Sequence, residues 1–279
     1  MTYRPQIRAA VVQMNPVLGD LQHNAQRIME LLYGAADQGA DLVVFPECAI
    51  SGYVFESVAE AQASSITIPG QFTREFQQQC SRLGVVGVVG VVEANDNNLY
   101  NSALICGPDG LQHVYRKTHL PVLGLDRFVE EGSILDTVDT PAGVLGPLIC
   151  YDLRFPEAPR TLAVKGAEVL VHPTNWPVAS KDFPTFVTRA AARASRVFLL
   201  SANRMGTERG TEFLGHSQII DPNGDVLAEA EQEETTLLAD IDLNRAHQKR
   251  LVHIPGVFEL DSFGDRRPDL YKALTEADK

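Results

Sequence analysis

The sequence predicts an α/β fold with mixed sheets, and three observations carry that expectation. Short apolar runs rich in Val, Ile and Ala recur along the chain, and amphipathic stretches near 3.6-residue spacing alternate with them. Two turn sequences, GPDG at 107–110 and DPNG at 221–224, sit between strand-like runs. Alternation implies crossovers and parallel pairs, whereas the turns imply antiparallel ones.

Taken in order, Ile7 to Met14 reads as a buried strand that runs into the turn residues Asn15, Pro16, Gly19 and Asp20. Leu21, Ala25, Ile28 and Leu32 keep helical spacing, giving a helix from Leu21 to Tyr33 that ends near Gly34. Asp41 to Phe45 is the next strand. Phe72, Phe76, Cys80 and Leu83 mark a second helix stopping at Gly84, and Val85 to Val92 a third strand. Asn98 to Cys106 and Leu111 to Arg116 form a hairpin across GPDG. In the second half, Val144 to Cys150 is expected as a strand, Pro156 to Lys165 as a helix and Glu168 to His172 as a strand. Phe183, Phe186, Val187, Ala190, Ala191 and Ala194 define the apolar stripe of another helix, followed by the strand Val197 to Ser201. Gly215 to Ile220, Val226 to Ala230 and Thr235 to Ile241 suggest a terminal antiparallel meander, and EAEQEE (229–234) a solvated turn. No linker divides the chain, so residues 1–279 read as one domain, with an extended, loop-like tail over about 252–279 that takes part in subunit contacts.

With 36 acidic against 24 basic residues, the net charge is −12. That balance argues against nucleic acid, which needs a concentrated basic face. No apolar run approaches the length of a membrane span. The start, MTYRPQIRAAVVQM, lacks the pattern of a secretory signal, so the expected location is cytoplasmic. The four cysteines, at 48, 80, 106 and 150, have neither CxxC pairing nor the density of a disulfide scaffold. Seven histidines show no HExxH or HxxxH spacing, and no metal site is expected.

Three residues stand at the ends of apolar strands, where a side chain can leave the core for a cleft: Glu47 after LVVFP, Lys117 after LQHVYR and Cys150 after VLGPLI. Singly, each reads as an ordinary solvated carboxylate, surface ammonium or inert thiol. Together they supply what acyl transfer needs. Cys150 is a nucleophile, Glu47 can take its proton, and Lys117 can hold the charge that develops on a carbonyl oxygen. The Tyr151 N–H is a candidate second oxyanion donor.

At these residues the chain resembles the nitrilase, or carbon-nitrogen hydrolase, superfamily. VVFPECAISGY, YRKTHLP and GPLICYDLRFPE match in the family's order, with the reactive residues 70 and 33 positions apart. AAVVQM, HPTNWP (172–177) and RAAARASRVFLLSANRMG (189–206) extend the likeness over about residues 7–245. The resemblance implies a four-layer α-β-β-α sandwich of two mixed sheets with helices outside, which pairs into a homodimer or larger homo-oligomer. It also implies a Glu47–Lys117–Cys150 triad, a thioester intermediate, and no metal or organic cofactor. Many members carry a further Glu after the lysine; here HLPVLGLDRFVEEG offers Asp126 at the best-matching position, one methylene shorter, with Glu130 and Glu131 as alternatives.

After the cysteine, CYDLRF is similar to the amidase and ω-amidase-like branches and unlike the Cys-Trp-Glu of nitrilases. The expected reaction is hydrolysis of a small-molecule amide to ammonia and a carboxylate. N-carbamoyl hydrolysis is the main alternative, nitrile hydrolysis a lesser one, and a silent interaction scaffold the non-enzymatic one. Tyr53, Asn175 and Trp176, with Asp126, are the expected substrate contacts, while Arg154 reads as an internal ion-pair partner.

Overall fold

Alternation along the first strand sets the layering of the molecule. Ala9 and Val11 face one side, Ala10 and Val12 the other, and both sides are fully buried. A strand buried on both faces must be covered twice, by a second sheet on one side and by helices on the other. The computed structural model describes residues 4–276, and the ends of the expected 1–279 unit lie outside the described residues.

The first half contains β1 (Gln6–Gln13), α1 (Leu21–Asp37), β2 (Leu42–Val44), α2 (Val58–Ala63), β3 (Ile66–Thr67), α3 (Gln71–Leu83), β4 (Val86–Asn95), β5 (Asn98–Gly107) and β6 (Gly110–Arg116). The second contains β7 (Val138–Thr140), β8 (Gly143–Pro147), α4 (Glu157–Val164), β9 (Val169–Thr174), α5 (Thr188–Ser195), β10 (Phe198–Asn203), β11 (Met205–Glu208), β12 (Thr211–Leu214), β13 (Gln218–Ile220), β14 (Val226–Glu229), β15 (Thr235–Asp242), α6 (Asn244–His247), β16 (Arg250–Ile254) and β17 (Phe258–Asp261).

One sheet has the order β15-β1-β2-β4-β5-β6, with β3 beside β4; the other runs β14-β13-β10-β9-β8-β7. Each is parallel at its centre, through β1-β2-β4 and β8-β9-β10, and antiparallel at its flanks. The sheets pack face to face through Ala9, Val11, Val44 and Val88 from one and Leu145, Val171, Phe198 and Leu200 from the other. Ile28, Leu32, Phe72 and Phe76 of α1 and α3 cover the outside of the first sheet. Leu162, Ala163 and Ala192 of α4 and α5 cover the second. The result is the four-layer α-β-β-α sandwich. Among the described residues no helix is long and apolar enough to cross a membrane.

Several sequence expectations need correction. Helix α1 passes through Gly34 to Asp37, because nothing crowds that position and the real stop is the turn at Gln38 and Gly39. The expected terminal meander is split. β13 and β14 form a hairpin in the second sheet, whereas β15 pairs with β1 over eight residues in the first. Strand sequence fixes which face is buried, not which neighbour it joins. The stripe assigned to the last long helix is split: Phe183 is buried and Val187 and Ala191 pack against the core beside Thr188, Ala192 and Ser195, while Phe186, Ala190 and Ala194 face outward. A single π turn over Phe183–Val187 precedes α5 and shifts its phase. The tail is not a loop, since β16 and β17 pair as a hairpin before two short 3₁₀ turns. The strand expected to reach Cys150 ends at Pro147. Short elements such as α2, β3, β7 and the β11–β12 hairpin carry too few residues to show a period.

Because Gly34 lies inside a helix with open space around it, Gly34→Ala should stabilise the protein by about 0.5–1 kcal/mol. Urea unfolding checks this, and a loss of stability would contradict a helical Gly34.

Candidate active site

Glu47 is placed by proline and glycine chemistry. Pro46 cannot donate to the ladder, so β2 ends at Val44 and the chain turns beside β4. Phe45 N–H still donates to Val88 O at 2.8 Å, Gly90 N–H to Pro46 O at 3.1 Å, and Ala49 N–H to Gly90 O at 2.9 Å. A Cβ on Gly90 would stand 2.5 Å from Glu47 Cα, so only glycine lets the turn lie this close. The turn is completed by Cys48 in the left-handed region, at φ 50°.

Lys117 follows β6, which runs in the same direction as β2 after two antiparallel steps. Its backbone is held on both sides, by Asn101 O at 2.8 Å and by the Gly132 N–H at 2.8 Å. Its side chain is fully buried, with Nζ 2.8 Å from Glu47 Oε1 and 2.6 Å from Asp126 Oδ2. Asp126 therefore reaches the lysine despite its shorter side chain, whereas Glu130 and Glu131 are exposed. It sits on a 3₁₀ turn, Gly124–Arg127, whose Gly124 packs on the Tyr53 ring so closely that a Cβ would be 2.4 Å away. The Tyr53 hydroxyl donates to Asp126 Oδ2 at 2.8 Å, so this residue buttresses the acid and its polar tip is committed.

Burial alone would push the Lys117 ammonium down, but Asp126 and Glu47 outweigh it and hold its pKa well above the ordinary value. Glu47 is raised, by burial first and by Asp126, against the opposing pull of Lys117. Of its two oxygens, Oε1 accepts from Lys117 and from Asn101, while Oε2 has no partner among the described residues.

Cys150 opens a 3₁₀ turn, Cys150–Arg154, with φ 45°. A left-handed non-glycine residue at a strand-to-helix turn is a strained position, and such strain concentrates at functional sites. Asp152 holds the turn by accepting from Ile149 N–H at 2.9 Å and from Tyr115 Oη at 2.7 Å. It also accepts from Thr118 Oγ1 and His119 N–H, both at 3.0 Å, and so ties the Cys150 turn to the segment after Lys117. Behind it, buried His172 bridges Cys150 O at 3.0 Å and Ser201 Oγ at 2.9 Å. Burial lowers its pKa to about 4 and keeps it neutral. The Cys150 thiol is pushed up to about 12 by burial and by the charge of Glu47, with Lys117 and the Asn175 amide acting the other way. At neutral pH it is a thiol that needs a base to react.

The remaining expected residues lie around this centre. Tyr151 is half-buried, its ring edge-on to Phe155, and its N–H belongs to the first turn after Cys150, where amides lack intrahelical acceptors. Asn175 and Trp176 follow β9. Both polar atoms of the Asn175 side chain and Trp176 Nε1 are buried without a hydrogen-bond partner among the described residues, while the Thr174 hydroxyl next to them acts on the Cys150 thiol. Unsatisfied buried groups cost about 1–3 kcal/mol each, so several on one strand end stand out. The Trp176 ring packs between His172 and Phe183. Arg154 lies over Phe183, 3.7 Å from Asp182. Sequence reasoning missed Asn101, Asp152, His172 and Glu208, which accepts from Tyr53 N–H at 2.8 Å. The available signal was polar residues inside or bordering otherwise apolar strands.

Residues 8–251 match the protein family described as Carbon-nitrogen hydrolase. A protein described as a nitrilase from Pyrococcus abyssi is 37% identical over 270 residues, covering 95% of this chain and 99% of that one. An omega-amidase of Xenopus laevis is 35% identical over 245 residues, covering 82% and 86%. The crystal structure of a carbon-nitrogen hydrolase from Helicobacter pylori superposes with a TM-score of 0.84 at 25% identity, covering 97% and 99%.

Two outcomes are expected from this geometry. Iodoacetamide should label Cys150 first in the native protein, since Cys48, Cys80 and Cys106 are buried; peptide mass spectrometry reads the order, and earlier labelling of any other cysteine would refute it. Gly90→Ala should slow that labelling about tenfold or more by displacing Glu47, with the loss visible as a lower rate at every reagent concentration.

Proposed function

The chain belongs to the carbon-nitrogen hydrolase family, and from that premise we propose a thiol amidase that hydrolyses small linear amides through a thioester. The observation that supports it best is the buried set in which Lys117 donates to both Glu47 and Asp126 and leaves Glu47 Oε2 without a partner among the described residues, with the Cys150 thiol close enough to feel the charges of Glu47 and Lys117.

In this reading Cys150 Sγ attacks the amide carbonyl as Glu47 takes the thiol proton. Lys117 has three N–H bonds and uses two, on Glu47 and Asp126; the third, with the Tyr151 N–H, meets the oxyanion. Glu47 returns the proton to the leaving nitrogen and ammonia departs from the thioester. A water deprotonated by Glu47 then attacks, releasing the carboxylate and restoring the thiol. Asp126 keeps Lys117 charged and aimed. Asn175 and Trp176 offer the unsatisfied groups that a substrate's polar atoms would meet. CYDLRF favours an amide over a nitrile, although the relatives' descriptions include both chemistries.

The same reading makes the chain one unit that pairs with a second copy. Phe186 is 68% exposed and, with Ala190 and Ala194, borders a groove of about 500 Å³ between α4 and α5; the 252–274 segment adds Val257, Leu270 and Leu274 to the exposed apolar surface. Four unpaired cysteines and an acidic surface suit the cytoplasm.

Cys150→Ala should abolish ammonia release while leaving thermal unfolding unchanged. A panel of aliphatic amides, ω-amides of dicarboxylates, carbamoyl amines and nitriles, read by ammonia release, locates the substrate class. Turnover confined to nitriles, or activity retained by Cys150→Ala, would overturn the proposal.

A further inference from the structure

Glu47 and Asp126 present two carboxylates to one ammonium, and all three side chains are shut away from water. One Lys cannot neutralise two carboxylates, and a second link between them is needed to hold both. Asn101, buried on β5, supplies it. Its Nδ2 lies 2.7 Å from Glu47 Oε1 and 2.8 Å from Asp126 Oδ1, so one NH₂ group donates a hydrogen bond to each acid. Lys117, Glu47, Asn101 and Asp126 thus close a ring of four hydrogen bonds. Turned the other way, the amide would point its carbonyl oxygen at two carboxylates, so the network fixes its orientation. Asn101 Oδ1 faces the Cys48 thiol at 3.8 Å.

We propose that Asn101 is a positioning residue for the proton acceptor: by sharing Glu47 Oε1 with Lys117, it keeps Oε2 as the one open oxygen and holds Glu47 ready to accept a proton. This rests on the reading of Glu47 as the base. The titratable groups that face Glu47 are Lys117, Asp126, Cys48, Tyr53 and Cys150. Of these, only Lys117 favours the carboxylate. Loss of the Asn101 donor therefore leaves Glu47 harder to ionise, with a raised proton affinity.

The test is the pH dependence of two rates, ammonia release and iodoacetamide labelling of Cys150, in Asn101→Leu and, because the larger change risks folding, in Asn101→Ser. The expected result is an acid limb displaced to higher pH by on the order of one unit in both rates, a fall in kcat of about 10- to 100-fold at neutral pH, and KM changed far less. An acid limb in its parental place overturns the proposal, whether the rate is unchanged or uniformly reduced, since a merely structural role lowers activity at every pH alike. The two readings fail separately. If the parent releases no ammonia from any amide but the labelling limb still moves, the amidase reading falls and the role of Asn101 stands. If ammonia is released and neither limb moves, the reverse holds.

Discussion

The burial of Lys117 between Glu47 and Asp126 is the constraint on which the rest of the site depends. A desolvated ammonium is tolerable only with carboxylates at contact distance, and a second desolvated carboxylate is tolerable only if other donors reach it. Every element near the site serves that requirement. Gly90 lets the Glu47 turn press against β4, Gly124 lets Asp126 close over Tyr53, and the Tyr53 hydroxyl supplies Asp126 with a further donor. Tyr53 is in turn held by Glu208, itself paired with buried Arg204 at 2.6 Å. The charge balance at the centre thus extends to the β11–β12 hairpin, far along the sequence.

The proposed nucleophile is held by a different device. Cys150 enters from the second sheet, so no strand pairing fixes its distance from the lysine. Asp152 provides that fix by accepting hydrogen bonds from Ile149, just before the cysteine, and from Thr118 and His119, just after the lysine. One carboxylate thereby joins the two sheets at the point where their strand ends converge. Its neighbour His172 contributes a neutral bridge to the Cys150 carbonyl, and neutrality matters there, because another cation beside Cys150 would compete with the role of Lys117.

Much of this was legible in the sequence, and what was legible shares a property. Glu47, Lys117 and Cys150 were visible because reactive residues at apolar strand ends break a local pattern. Asp126 was visible only through the family likeness, which places an acid in the loop after the lysine. Asn101 was not, because a lone amide in a strand reads as an ordinary polar residue until its two carboxylate partners, 54 and 25 residues away, are brought to it. Asp152 was hidden inside a motif that drew attention to its cysteine. Tyr53 was identified as a site residue, yet as a wall for substrate, since a sequence cannot show which way a phenol points. The four-layer arrangement followed from the family likeness, while residues alone reached only a mixed-sheet α/β fold.

The split stripe before and along α5 shows the limit of periodicity most directly. Apolar residues at helical spacing report that a face will be covered, and here only half of them are: Phe183, Val187 and Ala191 meet the core, while Phe186, Ala190 and Ala194 lie along the outward side. What they do not report is the identity of the cover. The core-facing side combines Val187 and Ala191 with Thr188, Ala192 and Ser195, where small residues let the helix approach the sheet and the Thr188 hydroxyl is satisfied by Gln218 at 2.8 Å. Phe186, just before the helix, is left exposed on the outward side, and it is there that we place the proposed contact with a second copy.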